Sequence, residues 1–211
     1  MYIPRFNEEK RLPVMQALIE SHPLATLVTL GGSGLFATHL PLLLEEDGSE
    51  FGTLKGHIAR ANAQWKDLVS TVDALAIFVG PDHYISPNWY AGKQEHGKEV
   101  PTWNYAVVHA YGPLRVIEDE QWLLRLVSRL TDVHEASTSA MPWKVTDAPA
   151  DYIQAMLKAI VGVELPIRRL EGKWKASQNK TDADREGVVA GLTKLNTPKS
   201  LHMRELVKGR M

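Results

Sequence analysis

The chain contains no cysteine, which excludes disulfides, thiolate nucleophiles and zinc sites built on sulfur, and agrees with a reducing compartment. It has no apolar run long enough to cross a bilayer, and no apolar stretch follows the start Met1-Tyr2-Ile3-Pro4-Arg5 as a signal peptide would require. The expectation is a soluble, cytoplasmic protein with no membrane partner. An excess of one charge is missing as well: 24 Lys and Arg stand against 25 Asp and Glu, so no global basic field exists to hold nucleic acid, and DNA binding would need a local patch. The absence of a Gly-x-Ser-x-Gly elbow and of a His-Glu-x-x-His pair sets aside serine hydrolases and zinc proteases. No metal site is expected.

What the chain does contain is a succession of short apolar segments at hairpin distances. Leu24–Leu30 alternates as a strand, Gly31-Gly32-Ser33-Gly34 is a hairpin turn, and residues 35–44 form the return strand. Further strands are expected over residues 51–57, 73–79, 100–111, 114–117 and 160–170, with turns at Gly80-Pro81-Asp82 and Gly112-Pro113. Helices are expected from Asn7 to the residues before Pro23, around residues 62–69, over 119–134 with Trp122, Leu123, Leu126, Val127 and Leu130 at helical spacing, after Pro149, over 182–195, and from Ser200. The polar run 92–99 reads as a loop. Strands first and helices in the gaps and at the end point to one α+β domain over residues 1–211, a barrel rather than a doubly wound sheet.

Two blocks depart from plain strand chemistry: Gly56-His-Ile-Ala-Arg-Ala-Asn-Ala-Gln-Trp65 and Val100-Pro-Thr-Trp-Asn-Tyr-Ala-Val-Val-His109. They bring cations, amides, hydroxyls and large rings together, a mixture suited to a flat, phosphorylated aromatic ligand. Lys55 and Arg60 offer charge to a phosphate, Asn62 and Asn104 can meet polar ring edges, and Trp103 or Trp65 can cover a face. The competing reading is structural: Asn62 caps a helix, Arg60 is solvated, and Trp103 is an interface residue.

These two blocks, with the start Met1–Arg5, Tyr84-Ile-Ser-Pro-Asn-Trp-Tyr90 and Leu170-Glu-Gly-Lys-Trp-Lys-Ala-Ser-Gln178, resemble the PaiB family, FMN-binding split-barrel proteins described as negative transcriptional regulators. The resemblance spans nearly the whole chain. It implies a split β-barrel like that of pyridoxamine-phosphate oxidases with peripheral helices, and a homodimer with FMN at the subunit interface. It further implies that Lys55, His57, Arg60 and Asn62 serve the phosphate, with Thr38 and His39 along the isoalloxazine edge. Thr102, Trp103 and Asn104 would face the flavin, and Trp174 with Lys175 or Gln178 would close the pocket.

Two functional classes stay open: a flavin-linked transcriptional regulator or sensor, and an FMN-dependent oxidoreductase acting on a small molecule with the 92–99 loop as a lid. Direct DNA contact would rest on the basic tail Lys194, Lys199, Arg204, Lys208 and Arg210. Heme binding or handling through His39, His57, His83 or His109 is a minor alternative.

Overall fold

A computed structural model describes residues 1–209, so Arg210 of the basic tail lies outside the described residues. The chain divides into two compact units. Unit 1 comprises residues 1–18, 79–109 and 171–211, and unit 2 residues 19–78 and 110–170.

Unit 1 holds strands β1 (Glu8–Glu9), the second half of β6 (Ala74–Ile85), most of β7 (Thr102–Gly112) and most of β10 (Arg169–Lys175), ordered β1-β10-β7-β6. Its helices are the start of α1 (Leu12–Ser21), the short α2 (Gly92–His96), α5 (Asp182–Leu195) and α6 (Pro198–Lys208). The segment expected to enter a helix at Asn7 instead pairs as a strand, Glu8 opposite Lys173 and Glu9 opposite Gly172. Helix α1 starts at Leu12, placing Pro13 in the first turn, where its missing N–H costs nothing. The core of this unit is an apolar cluster of Ile85, Tyr90, Ala176, Val188, Leu192, Met203 and Val207. Helix α5 is capped by Thr181, whose hydroxyl accepts from Asp184 N, and α6 opens on a Thr197/Ser200 capping box.

Unit 2 holds a four-stranded sheet ordered β4 (Leu43–Glu45), β5 (Thr53–Ala59), β9 (Ile160–Pro166), β8 (Arg115–Ile117), antiparallel throughout. It also holds the run β6-β2-β3, in which β2 (Leu24–Gly31) and β3 (Gly34–Pro41) form the expected hairpin in register from Leu24↔Pro41 to Gly31↔Gly34. Helices α3 (Glu120–Glu135) and α4 (Ala150–Lys158) complete it. Asp119 caps α3 by accepting from Trp122 N at 2.6 Å. Leu126 and Leu130 of α3 pack with Leu43.

Other local expectations change as well. Gly80-Pro81-Asp82 is not a turn: β6 runs straight through it, and Gly80 is small because a Cβ there would lie 2.8 Å from Leu18 Cδ1. Residues 160–170 are not one strand but the whole of β9 and the start of β10, broken at Ile167-Arg168. The stretch 92–99 carries a helical turn, ended by Gly97 at φ 64°.

Candidate functional site

The candidate residues fall into two sets, one in each unit. In unit 2, β5 alternates so that Lys55 and His57 point to one face, with Leu54, Gly56 and Ile58 buried on the other. Lys55 Nζ lies 2.6 Å from Glu45 and 3.5 Å from Glu164. Burial disfavours its ammonium, but the two carboxylates outweigh that and hold its pKa above the ordinary value. His57 sits opposite Gly162, its Nδ1 buried without a hydrogen-bond partner, and burial lowers its pKa.

Arg60 follows the end of β5. Its Nε donates to Lys158 O at 2.9 Å and its Nη2 to Ile160 O at 3.2 Å, while Nη1 lies 2.6 Å from Glu118. The guanidinium carbon lies 5.8 Å from the centre of the Trp65 ring, and Trp65 Nε1 donates to Arg60 O. Two main-chain carbonyls therefore fix the plane of the guanidinium, and its counter-charge among the described residues is a carboxylate 56 % exposed. Asn62 caps the 3-10 turn at residues 63–65 by accepting from Gln64 N at 2.9 Å, and its amide donates to Thr38 Oγ1 at 2.9 Å. His39 Nδ1 is 3.0 Å from Thr26 Oγ1. Thr38 in the middle of β3 is thus joined to Asn62 just beyond the end of β5, where Arg60 also lies, whereas Lys55 is drawn into a network with Glu45 and Glu164.

In unit 1, Thr102, Asn104 and Lys175 meet in a cleft of about 270 Å³ that Tyr90, Ser177 and Lys180 also line. Lys175 Nζ donates to Thr102 Oγ1 and, at 2.8 Å, to Trp103 O. Burial, and then the charge of Lys173, lower its pKa. Asn104, 1 % exposed, donates from Nδ2 to Ser177 Oγ at 2.9 Å. Ser177 has φ 64°, left-handed backbone that a non-glycine residue adopts at a cost, and it lines the cleft with Tyr90. Tyr90 is buried, and its pKa is pushed up to about 12 by burial and by the charges of Glu99 and Asp184.

The other residues of this set turn elsewhere. Gln178 spends its side-chain amide on the backbone, Oε1 accepting from Ala176 N and Nε2 donating to Trp174 O, so it shapes the turn after β10. Trp174 is buried, 5 % exposed. Trp103 is half exposed, edge-on to Tyr84 at 6.3 Å, with Lys199 Nζ 5.6 Å from its ring centre. Sequence reasoning missed Tyr90, Ser177 and Lys180 as site residues. Ser177 lies inside a quoted block, but no local signal marks a serine for left-handed backbone.

The charges of the basic tail are largely spoken for: Lys199 pairs with Asp82, and Arg204 and Lys208 both face Glu205. Among the described residues, no group of three or more His, Asp or Glu is placed to hold a metal ion, and no helix is long and apolar enough to cross a membrane.

Residues 1–169 match the family described as "Putative FMN-binding domain". An uncharacterized protein of Emericella nidulans, AN0679, is 35 % identical, with all of this chain and 97 % of the relative covered. The protease synthase and sporulation protein PAI 2 of Bacillus subtilis is 28 % identical over all of this chain and 98 % of its own length. Among solved structures, the flavocytochrome Anf3 of Azotobacter vinelandii superposes with a TM-score of 0.58 at 17 % identity, covering 82 % of this chain and 72 % of that one. At that identity the likeness speaks for the fold, an α+β split β-barrel with peripheral helices.

Proposed function

This chain belongs to the PaiB family of FMN-binding split-barrel proteins, FMN is the cofactor that this membership carries, and on that premise we propose that it acts as a flavin-linked regulator or sensor. The observation that carries the phosphate end of the reading is Arg60. Its guanidinium is already oriented by the carbonyls of Lys158 and Ile160, and the carboxylate it holds, Glu118, is largely in solvent. An exposed ion pair of this kind is worth about 0–1 kcal/mol, so a dianionic phosphate can displace it. Lys55 fits the phosphate less well, because releasing it would take the cation from Glu164 and leave Glu45 with Arg129 alone, at 3.7 Å, in a partly buried setting. Asn62 and Thr38, hydrogen-bonded to one another beside Arg60, supply further polar contacts, with His39 next to Thr38 on the same strand.

The chemistry FMN supplies when bound is electron and hydride transfer at the ring; the chain's own task is to bind and orient. We place the protein in a homodimer. Strand β3 ends the run β6-β2-β3 with Leu35 and Phe36 exposed along it, an edge that invites pairing with a second copy. An FMN-dependent oxidoreductase is the second reading. It is favoured by the polar cleft around Lys175, which has room for a small second molecule.

Arg60→Ala is expected to weaken FMN binding by about ten- to a hundredfold, the range of a charge-assisted pair, measured by quenching of flavin fluorescence. Unchanged affinity would reject Arg60 as the phosphate contact. Anaerobic addition of NADPH to the loaded protein separates the two functional readings: bleaching of the flavin with turnover on reoxidation supports the enzyme, and an unreduced flavin supports the sensor.

A further inference from the structure

The cleft in unit 1 holds a cation, Lys175, that pairs with no carboxylate among the described residues. An ammonium has three N–H donors, and Lys175 gives two of them to neutral oxygens, Thr102 Oγ1 and Trp103 O. No carboxylate of the described residues pairs with it. The second lysine of the cleft is placed differently: Lys180 pairs with Glu99, and its Nζ lies 4.4 Å from the centre of the Tyr90 ring. Around the cleft the charges of Lys175, Lys180 and the neighbouring Lys173 stand against those of Glu99 and Asp184, which leaves a single net positive charge there.

Neutral donors and acceptors surround that charge in a fixed arrangement. The Thr102 hydroxyl accepts from Lys175 and so has its own proton to give. Asn104 and Ser177 are buried and bonded to one another, and Ser177 reaches this position through backbone at φ 64°. Left-handed backbone at a buried serine is maintained only where its surroundings over-determine it. Here they include the Asn104 amide, which donates to the Ser177 hydroxyl at 2.9 Å. The Tyr90 side adds an apolar ring to the wall. At about 270 Å³ the cleft is smaller than the usual site for a drug-sized ligand.

The geometry points to a binding site for a small monocarboxylic acid with an apolar body, its carboxylate on Lys175 Nζ and the Thr102 hydroxyl and its body toward Tyr90. One net positive charge favours a monoanion over a phosphate dianion, which would lack a second unpaired cation. The third N–H of Lys175 and the hydroxyl of Thr102 offer two adjacent donors to the two oxygens of a carboxylate. Lys175–Lys180 lie beyond the stretch matched to the FMN-binding family, residues 1–169. The inference does not rest on the cofactor reading.

The test is a titration of the full-length, FMN-free protein with sodium benzoate at low ionic strength, followed through the ¹H–¹⁵N signals of the Asn104 side-chain amide and the Ser177 backbone. Benzamide and inorganic phosphate are titrated in parallel. Benzoate is expected to saturate and move these signals, with benzamide and phosphate each about tenfold weaker or worse, the loss a missing charge-assisted contact gives. Lys175→Met should weaken benzoate by a similar factor and Lys175→Arg should restore much of it. Glu99→Gln, which removes the charge cancelling Lys180, should tighten benzoate, so the inference stays testable even if Lys175→Met fails to fold. Equal binding of benzamide, tighter binding of phosphate, or no effect of Glu99→Gln would overturn it. FMN affinity measured on the same samples by fluorescence fails or holds separately.

Discussion

Two strand lysines, Lys55 of β5 in unit 2 and Lys175 of β10 in unit 1, look alike in sequence: each follows an apolar or aromatic residue in a strand and sits near polar groups. Their surroundings differ in one respect. Lys55 lies between Glu45 and Glu164, which raise its pKa against the effect of burial, whereas Lys175 is held by a hydroxyl and a carbonyl while burial and Lys173 lower its pKa. A cation with two carboxylates is part of the scaffold; one with only neutral oxygens still has charge to offer. Arg60 falls between the two, fixed by carbonyls yet countered by a solvent-exposed glutamate.

The widest test of the comparison concerns the frames that hold these cations. Leu192→Ala in the unit 1 cluster and Leu54→Ala in unit 2, both fully buried, should each cost about 2–5 kcal/mol by denaturant unfolding, the usual cost of a large core truncation. A cost well below that in one unit alone would show its frame to be loosely packed. Next in size is the contrast between the lysines. Lys55→Met takes the cation from the partly buried Glu164 and leaves Glu45 only Arg129 at 3.7 Å, and should cost about 1–3 kcal/mol, while Lys175→Met strands no carboxylate of the described residues and should cost less than about 1 kcal/mol. Equal costs would erase the distinction drawn here.

The smallest effect is a pH dependence. His57 has its pKa lowered by burial, so the folded state favours the neutral ring. Below the unfolded value of about 6.5 the unfolded chain binds more protons, so His57 makes stability fall as the pH drops from that value toward the lower folded pKa. His57→Gln should flatten this part of the stability profile between pH 7 and 5. An unchanged slope would mean that the ring is not held neutral in the fold.

Much of the fold was legible where a local signal has a local cause. The β2–β3 hairpin follows from glycines at the turn between alternating segments, and α3 from an Asp119 cap ahead of helical spacing. The signal failed where a distant contact decided the matter. Gly80-Pro81 has the composition of a turn, yet Gly80 is small because Leu18 packs against it, and the strand continues. The short helix expected around residues 62–69 reduces to the 3-10 turn at 63–65, and its cap Asn62 is held in addition by Thr38 of another strand.

The candidate site divides along the same line. Sequence alone determined the family resemblance, the absence of thiol chemistry, and which stretches carry cations and amides among apolar neighbours, since these depend only on residue type and order. Tertiary structure alone decided which of those cations is spent and which remains available. The partners of Lys55, Arg60 and Lys180 lie 10, 58 and 81 positions away in the chain for Glu45, Glu118 and Glu99, and a charge is neutralised by whatever the fold brings within about 4 Å, not by what stands beside it in sequence.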